Sequence, residues 1–230
     1  MSINFKKGNI FNSNAQTLVN TVNCVGVMGK GIALVYKLRY PEMFDIYKKY
    51  CKDKYIDIGK LWIYRGEEGA PWVLNFPTKN HWKFPSRIEY LEKGLEKFRN
   101  TYAEQGITSI AFPLLGAHNG GLEKEEVMEV MTRYLSMCDI EVEIYEFDPS
   151  IPDDLFEHFK ANWQQLDKAQ IKVETKLRMD KINLITEALE DTTIRSMMDL
   201  IKLKGIGIKT MEKCFSFVMK EKNSQTTLFD

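Results

Sequence analysis

The 230-residue chain has few cysteines and none in a pairing or chelating pattern. Cys24, Cys51, Cys138 and Cys214 are scattered without a CxxC unit. That speaks against a zinc site or disulfide framework and for a reducing, cytoplasmic setting. Long apolar runs are missing too. No window approaches the roughly 20 apolar residues of a spanning helix, and "MSINFKKGNIF" places no apolar core after its charges, so neither a membrane span nor a leader is expected. Net charge is absent: 32 basic residues balance 32 acidic ones. No global field draws the chain to nucleic acid or a membrane, and any basic patch must be local. No internal repeat or low-complexity tract is evident. What is present is 44% hydrophobic residues, enough for one well-buried domain and a smaller appendage.

As far as Asp148 the chain alternates between two kinds of segment. "INFKKGNIF", "TLVNTVN", "LWIYR", "WVLNFPT", "SIAFPLL" and "EVEIYEF" are strand-like; Lys30 to Tyr50, Ser86 to Gln105 and Glu123 to Met137 have helical periodicity. Strands alternating with helices predict an α/β fold, a mixed and mainly parallel sheet with helices on both faces, because parallel neighbours need crossover connections. "DPSIPDD" then marks a boundary. Beyond it the sequence predicts a small all-helical C-terminal module, one or two helices from Asp153 to about Glu190 leading it. The expected division is 1–150, 151–222 and a flexible polar tail, 223–230.

Two glycine-rich stretches each follow a strand and precede a helix. "NTVNCVGVMGKGIA", Asn20 to Ala33, contains no acidic residue, and its spacing is neither GxGxxG nor GxxxxGK[ST]. "FPLLGAHNGGL" runs from Phe112 to Leu122. Backbone N–H groups of such loops converge on anions, helped by the following helix N-terminus, and two loops suit a diphosphate. Ordinary tight turns are the alternative.

"KKGNIFNSNAQTLVNTVNCVGVMGKGIA" together with "FPLLGAHNGGL" resembles the two ADP-ribose loops of a macrodomain, over roughly Met1 to Asp148. "NTVNCVGVMGKGIAL", "NFPTKNHW" and "SRIEYLEKGL" are most similar to the DNA ADP-ribosyl glycohydrolases of the DarG antitoxin type. The resemblance implies a hydrolase that removes ADP-ribose from a DNA base, reversing a DNA ADP-ribosyltransferase toxin. It implies no cofactor, and with no cluster of hard oxygen ligands no metal is expected. Other functions to weigh are a non-catalytic module that binds or sequesters ADP-ribose, and an ADP-ribose-1''-phosphate phosphatase.

The implied pose assigns residues. Gly8, Asn9 and Ile10 lie where the family holds adenine, Asn9 replacing an acidic residue; it can accept a hydrogen bond but offers no charge. Asn23 would place the distal ribose, or serve as a turn residue. Gly26, Val27, Met28, Gly29, Lys30, Gly31 and Ile32 form the first loop. Leu115, Gly116, Ala117, His118, Asn119, Gly120, Gly121 and Leu122 form the second, with Thr78 between them. Met28 and Ile32 would line the cleft or pack beneath it. The first loop lacks the aspartate of ester-cutting macrodomains, so the catalytic assignment goes to Lys79, with Asn23 beside it. A desolvated lysine favours its neutral, nucleophilic amine; a solvated surface charge is the other possibility. His81, Trp82, Lys83 and Arg87, with Phe84, make a basic and aromatic rim suited to a DNA backbone and an unstacked base, or simply a charged loop. His158 reads as helical surface.

"LIKLKGIGIKTMEKCF", Leu200 to Phe215, resembles a helix-hairpin-helix motif of two short helices. Gly205, Gly207 and Lys209, with Lys202 and Lys204, would bind a DNA phosphate. "QTTLF" resembles a bacterial sliding-clamp docking peptide, with Gln225, Leu228 and Phe229 as its anchors.

Overall fold

The structure, a computed structural model, describes residues 3–66 and 69–226, with side chains as far as residue 220. The chain forms two compact units, Met1–Pro149 and Ser150–Asp230.

The first unit is built on six strands: β1 Ile3–Gly8, β2 Thr17–Asn23, β3 Trp62–Tyr64, β4 Trp72–Lys79, β5 Ser109–Pro113 and β6 Glu141–Phe147. Their order is β1-β6-β5-β2-β4-β3. All neighbours are parallel except the edge pair β3 and β4. Helices α1 Gly31–Arg39, α2 Pro41–Lys52, α3 Ile88–Thr101 and α4 Lys124–Leu135 supply the crossovers. Alternation along the strands feeds two cores. Leu18, Val22 and Val73 face Tyr36, Met43 and Tyr47 of α1 and α2. Val19, Leu74 and Phe76 face Leu91, Leu95 and Phe98 of α3 and Val127 and Met131 of α4. Helices therefore cover both faces, and the chain enters every parallel strand from the same side of the sheet.

Several boundaries differ from expectation, each for a local reason. The first strand ends at Gly8, because Gly8 has φ +148° and Asn9 caps a 3₁₀ turn over Ile10–Asn12. The single helix expected from Lys30 to Tyr50 is two helices. Pro41 denies Tyr40 the helical region, and Tyr40 sits at φ −130°, ψ 71°.

The second unit holds α5 Phe156–Gln165, α6 Lys168–Thr175, α7 Met179–Ala188, the four-residue α8 Met197–Leu200 and α9 Ile208–Thr226. Three helices thus occupy the segment where one or two were expected. Asp167 opens α6 through a capping box with Gln170, and Lys176 closes it in the left-handed region at φ +53°. Phe159, Trp163 and Phe217 form an aromatic core with ring centroids 5.2 to 6.1 Å apart. The buried Asp153 carboxylate accepts from the N–H groups of Leu155 and Phe156 and, 44 residues on, from that of Met197. His158 is exposed.

In the hairpin segment Gly205 takes φ +97°, Ile206 is buried, and Gly207 and Lys209 face solvent at the start of α9. Lys204 is exposed, and Lys202 pairs with Asp199 at 2.6 Å. Of the two short helices expected from Leu200 to Phe215 the first is not formed, since α8 ends at Leu200 and residues 201–207 are not helical, and the second, α9, is long, because the apolar spacing through Met211, Cys214, Phe215 and Val218 continues to bury one face. The helical backbone continues through Gln225, whereas Leu228 and Phe229 lie outside the described residues.

Candidate active site

Parallel strands deliver all their carboxyl ends to one edge of the sheet, where ligands of such folds bind. Three of these ends meet here. Asn23 finishes β2 and pairs with Lys79, the last residue of β4, across a one-residue irregularity that begins after Val22. The connection continues one step further, Cys24 N–H donating to Asn80 O at 3.2 Å.

The first glycine loop is held by Asn23. Its Oδ1 accepts from the N–H groups of Val25 (3.0 Å) and Val27 (3.3 Å), and its Nδ2 donates to Val27 O at 2.5 Å. Tyr47 hydroxyl donates to Asn23 O at 2.5 Å. The carboxamide expected to place a sugar therefore has a structural task first. Gly26 at φ +79° and Gly31 at φ +56° adopt left-handed conformations that a side chain disfavours. Met28 packs beneath the loop, the second of the two readings the sequence left open. It is 2% exposed, packed with Val22, Tyr36 and Met43, its sulfur 4.0 Å from Asn20 Nδ2. Ile32 is half-buried against the same core, while Val27, Gly29 and Lys30 are exposed. The amino end of α1 carries no side-chain cap and no acid in its first turn, leaving N–H groups and the positive end of the helix dipole for an anion.

The second loop leaves β5 and folds tightly on itself. Leu115 is buried at its base, Ala117 is half-buried, and Leu122 N–H returns to Gly116 O at 3.2 Å. Gly116 and Gly121 have φ of +68° and +78°. A Cβ on Gly120 would stand 2.1 Å from Gly116 O, so only glycine fits. Gly120 O also accepts from Ser86 N–H at 2.9 Å, tying this loop to the segment after β4.

The two loops meet at Gly31, where a Cβ would lie 2.6 Å from the Asn119 amide nitrogen. Lys79 joins them: its ammonium donates to Asn119 O. Burial lowers the Lys79 pKa below the ordinary 10.5, which makes the neutral amine more accessible than on a free lysine. Thr78 is buried directly before it. Cys24 supplies no competing nucleophile, since burial pushes its thiol up to about 12. Among the described residues no group of three or more His, Cys, Asp or Glu could hold a metal ion, and no helix is long and apolar enough to cross a membrane.

The end of β1 closes the site on another side. Gly8 pairs with Phe147, and Asn9, buried, accepts from Phe11 N–H at 3.1 Å. Its Oδ1 is thus already used locally, and Ile10 is buried behind it. Phe147 was not singled out from the sequence. It ends β6 with 53% of its surface exposed, edge-on to His118 at 6.2 Å. The available signal was its position, an aromatic at the carboxyl end of a parallel strand. Past Lys79, His81 stacks on Trp82 with centroids 5.6 Å apart, and its Nδ1 accepts from Lys83 N–H at 3.2 Å. Lys83 lies over Trp82, and Arg87 over Tyr90. His81 thus orients the rim segment.

Six strands in this order, two glycine loops at their carboxyl ends and a lysine at the loops' junction define one class. The chain belongs to the macrodomain family. Residues 19–131 match the Macro domain profile. The macrodomain of Mycobacterium tuberculosis DarG superposes with a TM-score of 0.60 at 43% identity, covering 63% of this chain and 97% of that one. The DNA ADP-ribosyl glycohydrolase of the same species is 43% identical over 146 residues, 62% of this chain and 42% of its own length. Thermosipho africanus supplies two further matches. Its DNA ADP-ribosyl transferase-DNA ADP-ribosyl glycohydrolase fusion protein is 37% identical over 170 residues, 66% of this chain and 44% of the relative. The structure of Thermosipho africanus DarTG in complex with ADP-ribose aligns with a TM-score of 0.60 at 38% identity, covering 65% and 43% of the two chains. The chain spans less than half the length of these curated relatives.

The Lys79 environment makes a direct prediction. With its amine dimethylated by a ¹³C label and followed by NMR, Lys79 titrates below 10.5. The sign follows: between the lowered folded value and the unfolded one the folded chain binds fewer protons, so this group makes stability rise with pH across that window. A midpoint at or above the ordinary value would mean that the Asn119 carbonyl, not burial, governs the ammonium.

Proposed function

We propose that this chain is a DNA ADP-ribosyl glycohydrolase: it binds ADP-ribose attached to a DNA base and releases it by hydrolysis. The observation that carries the reading is the Lys79 ammonium at the meeting point of the two glycine loops. The names and ligand of the M. tuberculosis and T. africanus relatives support it.

The loops do the binding. Backbone N–H groups of the first loop and the amino end of α1, opposed by the second loop, receive the diphosphate without any carboxylate to repel it. Gly8 to Ile10 border the adenine, with Phe147 offering its exposed face. The distal ribose then lies at the carboxyl ends of β2 and β4, against Asn23 and Lys79. In the reaction the bond from the anomeric carbon to a base nitrogen breaks, its electron pair going to the base. Water supplies a hydroxyl to the sugar and a proton to the base. Lys79 serves either as a nucleophile that holds the sugar until water displaces it, or as the group that moves the proton. A DNA ADP-ribosyltransferase is the partner whose product this reaction removes, as the T. africanus fusion joins the two activities in one chain.

The second unit contributes DNA contact. Ile206, buried between two exposed glycines, pins the turn while Gly205, Gly207, Lys204 and Lys209 stay open to a phosphate. The terminal peptide adds docking to a bacterial sliding clamp through Gln225, Leu228 and Phe229, a reading that rests on sequence.

Four experiments test these assignments. Lys79→Ala keeps ADP-ribose affinity within a few fold by calorimetry but slows release of ADP-ribose from a modified oligonucleotide by about 10²–10⁴. Borohydride added during wild-type turnover attaches an ADP-ribose-derived mass to the Lys79 peptide if the amine is the nucleophile and leaves it unmodified if it only moves a proton. Near-normal turnover in the variant removes the catalytic role altogether. Replacing Gly205 and Gly207 by alanine weakens DNA binding and flattens its dependence on salt, because fewer counterions are released; an unchanged slope in a folded variant returns the hairpin to packing. Truncation before Ser224 abolishes binding to a bacterial clamp and spares hydrolysis, and a full-length chain that never binds clamp refutes the docking peptide.

A further inference from the structure

Beyond Lys79 lies a recess that neither glycine loop forms. Its volume is about 210 Å³, and it is lined by Asn80, Phe84, Pro85, Arg87 and Tyr90. Pockets that enclose whole drug-sized ligands run from about 300 to 1,000 Å³, so this one suits a single planar ring system. Its wall is unusual for a surface: Phe84 is 64% exposed, and its neighbour Trp82 is 49% exposed. His81 lies against both rings, 5.6 Å from Trp82 and 5.5 Å from Phe84. The cations around it, Lys83 and Arg87, rest on aromatic faces and make no ion pair among the described residues. Exposed rings interleaved with uncompensated cations match a base with its phosphodiester, the combination used for single strands.

The recess is fixed relative to the reacting centre at both ends. Asn80 directly follows Lys79, and its carbonyl accepts from Cys24 N–H at the root of the first loop. Ser86 N–H donates to Gly120 O in the second loop. Five residue-to-residue steps lead from Lys79 to Phe84, at most roughly 18 Å of chain, and the turn closed by Phe84 N–H on His81 O shortens it.

Resting on the glycohydrolase reading, we infer that this recess is a subsite for the nucleotide next to the modified one: the neighbouring base lies against Phe84, and its phosphodiester meets Arg87 and Lys83. The preferred substrate is then an oligonucleotide adduct, and an ADP-ribosylated mononucleotide, which leaves the recess empty, is processed less efficiently.

The test compares kcat/KM for an ADP-ribosylated mononucleotide with that for the same adduct centred in a trinucleotide. Wild-type protein prefers the trinucleotide by about tenfold, the scale of one base stacked on an aromatic ring. Phe84→Ala lowers that ratio toward one, Phe84→Tyr preserves it, and ADP-ribose affinity is the same in all three proteins. Equal slowing of both substrates would overturn the subsite, since Phe84 would then act through the reacting centre; so would an unchanged ratio. If wild-type protein hydrolyses neither adduct, the glycohydrolase reading falls, and a second measurement still decides the recess. Unmodified trideoxynucleotide is titrated into the ADP-ribose-saturated chain and followed by calorimetry. Binding that is lost in Phe84→Ala supports the subsite, and no binding to the wild-type chain refutes it.

Discussion

The site depends on one carboxamide finding the right backbone groups. A loop that is to present its N–H groups to a ligand must first satisfy those facing inward, since an unpaired buried amide costs about 1–3 kcal/mol. Asn23 does this for the first glycine loop. It takes two N–H groups and supplies one donor, and Tyr47 reaches from α2 to secure its carbonyl. The same residue sits where β2 slips by one position against β4. That slip brings the end of β4, and so Lys79, level with the loop. Loop shape and lysine position are therefore set by a single point in the sheet.

Charge is handled by omission. From Asn20 to Ala33 and from Phe112 to Leu122 no carboxylate is present, so the diphosphate proposed here would meet only N–H dipoles and cations. Lys79 has opposing influences upon it. Burial favours its neutral amine, a carbonyl partner favours the ammonium, and a bound anion would reinforce the latter. The net direction is downward, set by burial, and it favours the neutral amine that either proposed role at the sugar uses. On the rim beyond Lys79, Lys83 rests on the exposed Trp82 ring and Arg87 on the half-buried Tyr90 ring.

Much of this was legible in the sequence because each strand is an apolar run and each loop is marked by glycine. The strands from Thr17, Trp72, Ser109 and Glu141 begin where the pattern placed them. The failures share a cause. Periodicity locates an element but does not say which side of a loop a residue takes. So the sequence left Met28 open between cleft and core, where its burial places it in the core, and gave no sign that the Asn9 oxygen also caps a turn. Phe147 went unnoticed because the apolar pattern of β6 does not say that its last side chain stays exposed at the end of the strand. The contact of Lys79 with Asn119 spans 40 residues and has no local signature. The break at Pro41 is different, since proline announced it and the apolar spacing on either side obscured it.

The adjacent glycines of the second loop are constrained in different ways. At Gly120 the obstacle is space, because the Gly116 carbonyl occupies the place a side chain would take; at Gly121 nothing lies within 4 Å and only the positive φ resists substitution. Asn and Asp tolerate that left-handed region better than other residues. Over evolutionary time the first of the pair is frozen by its neighbours. The second is free to drift toward a short polar side chain, which would give the loop a new group facing outward without disturbing the backbone that holds it.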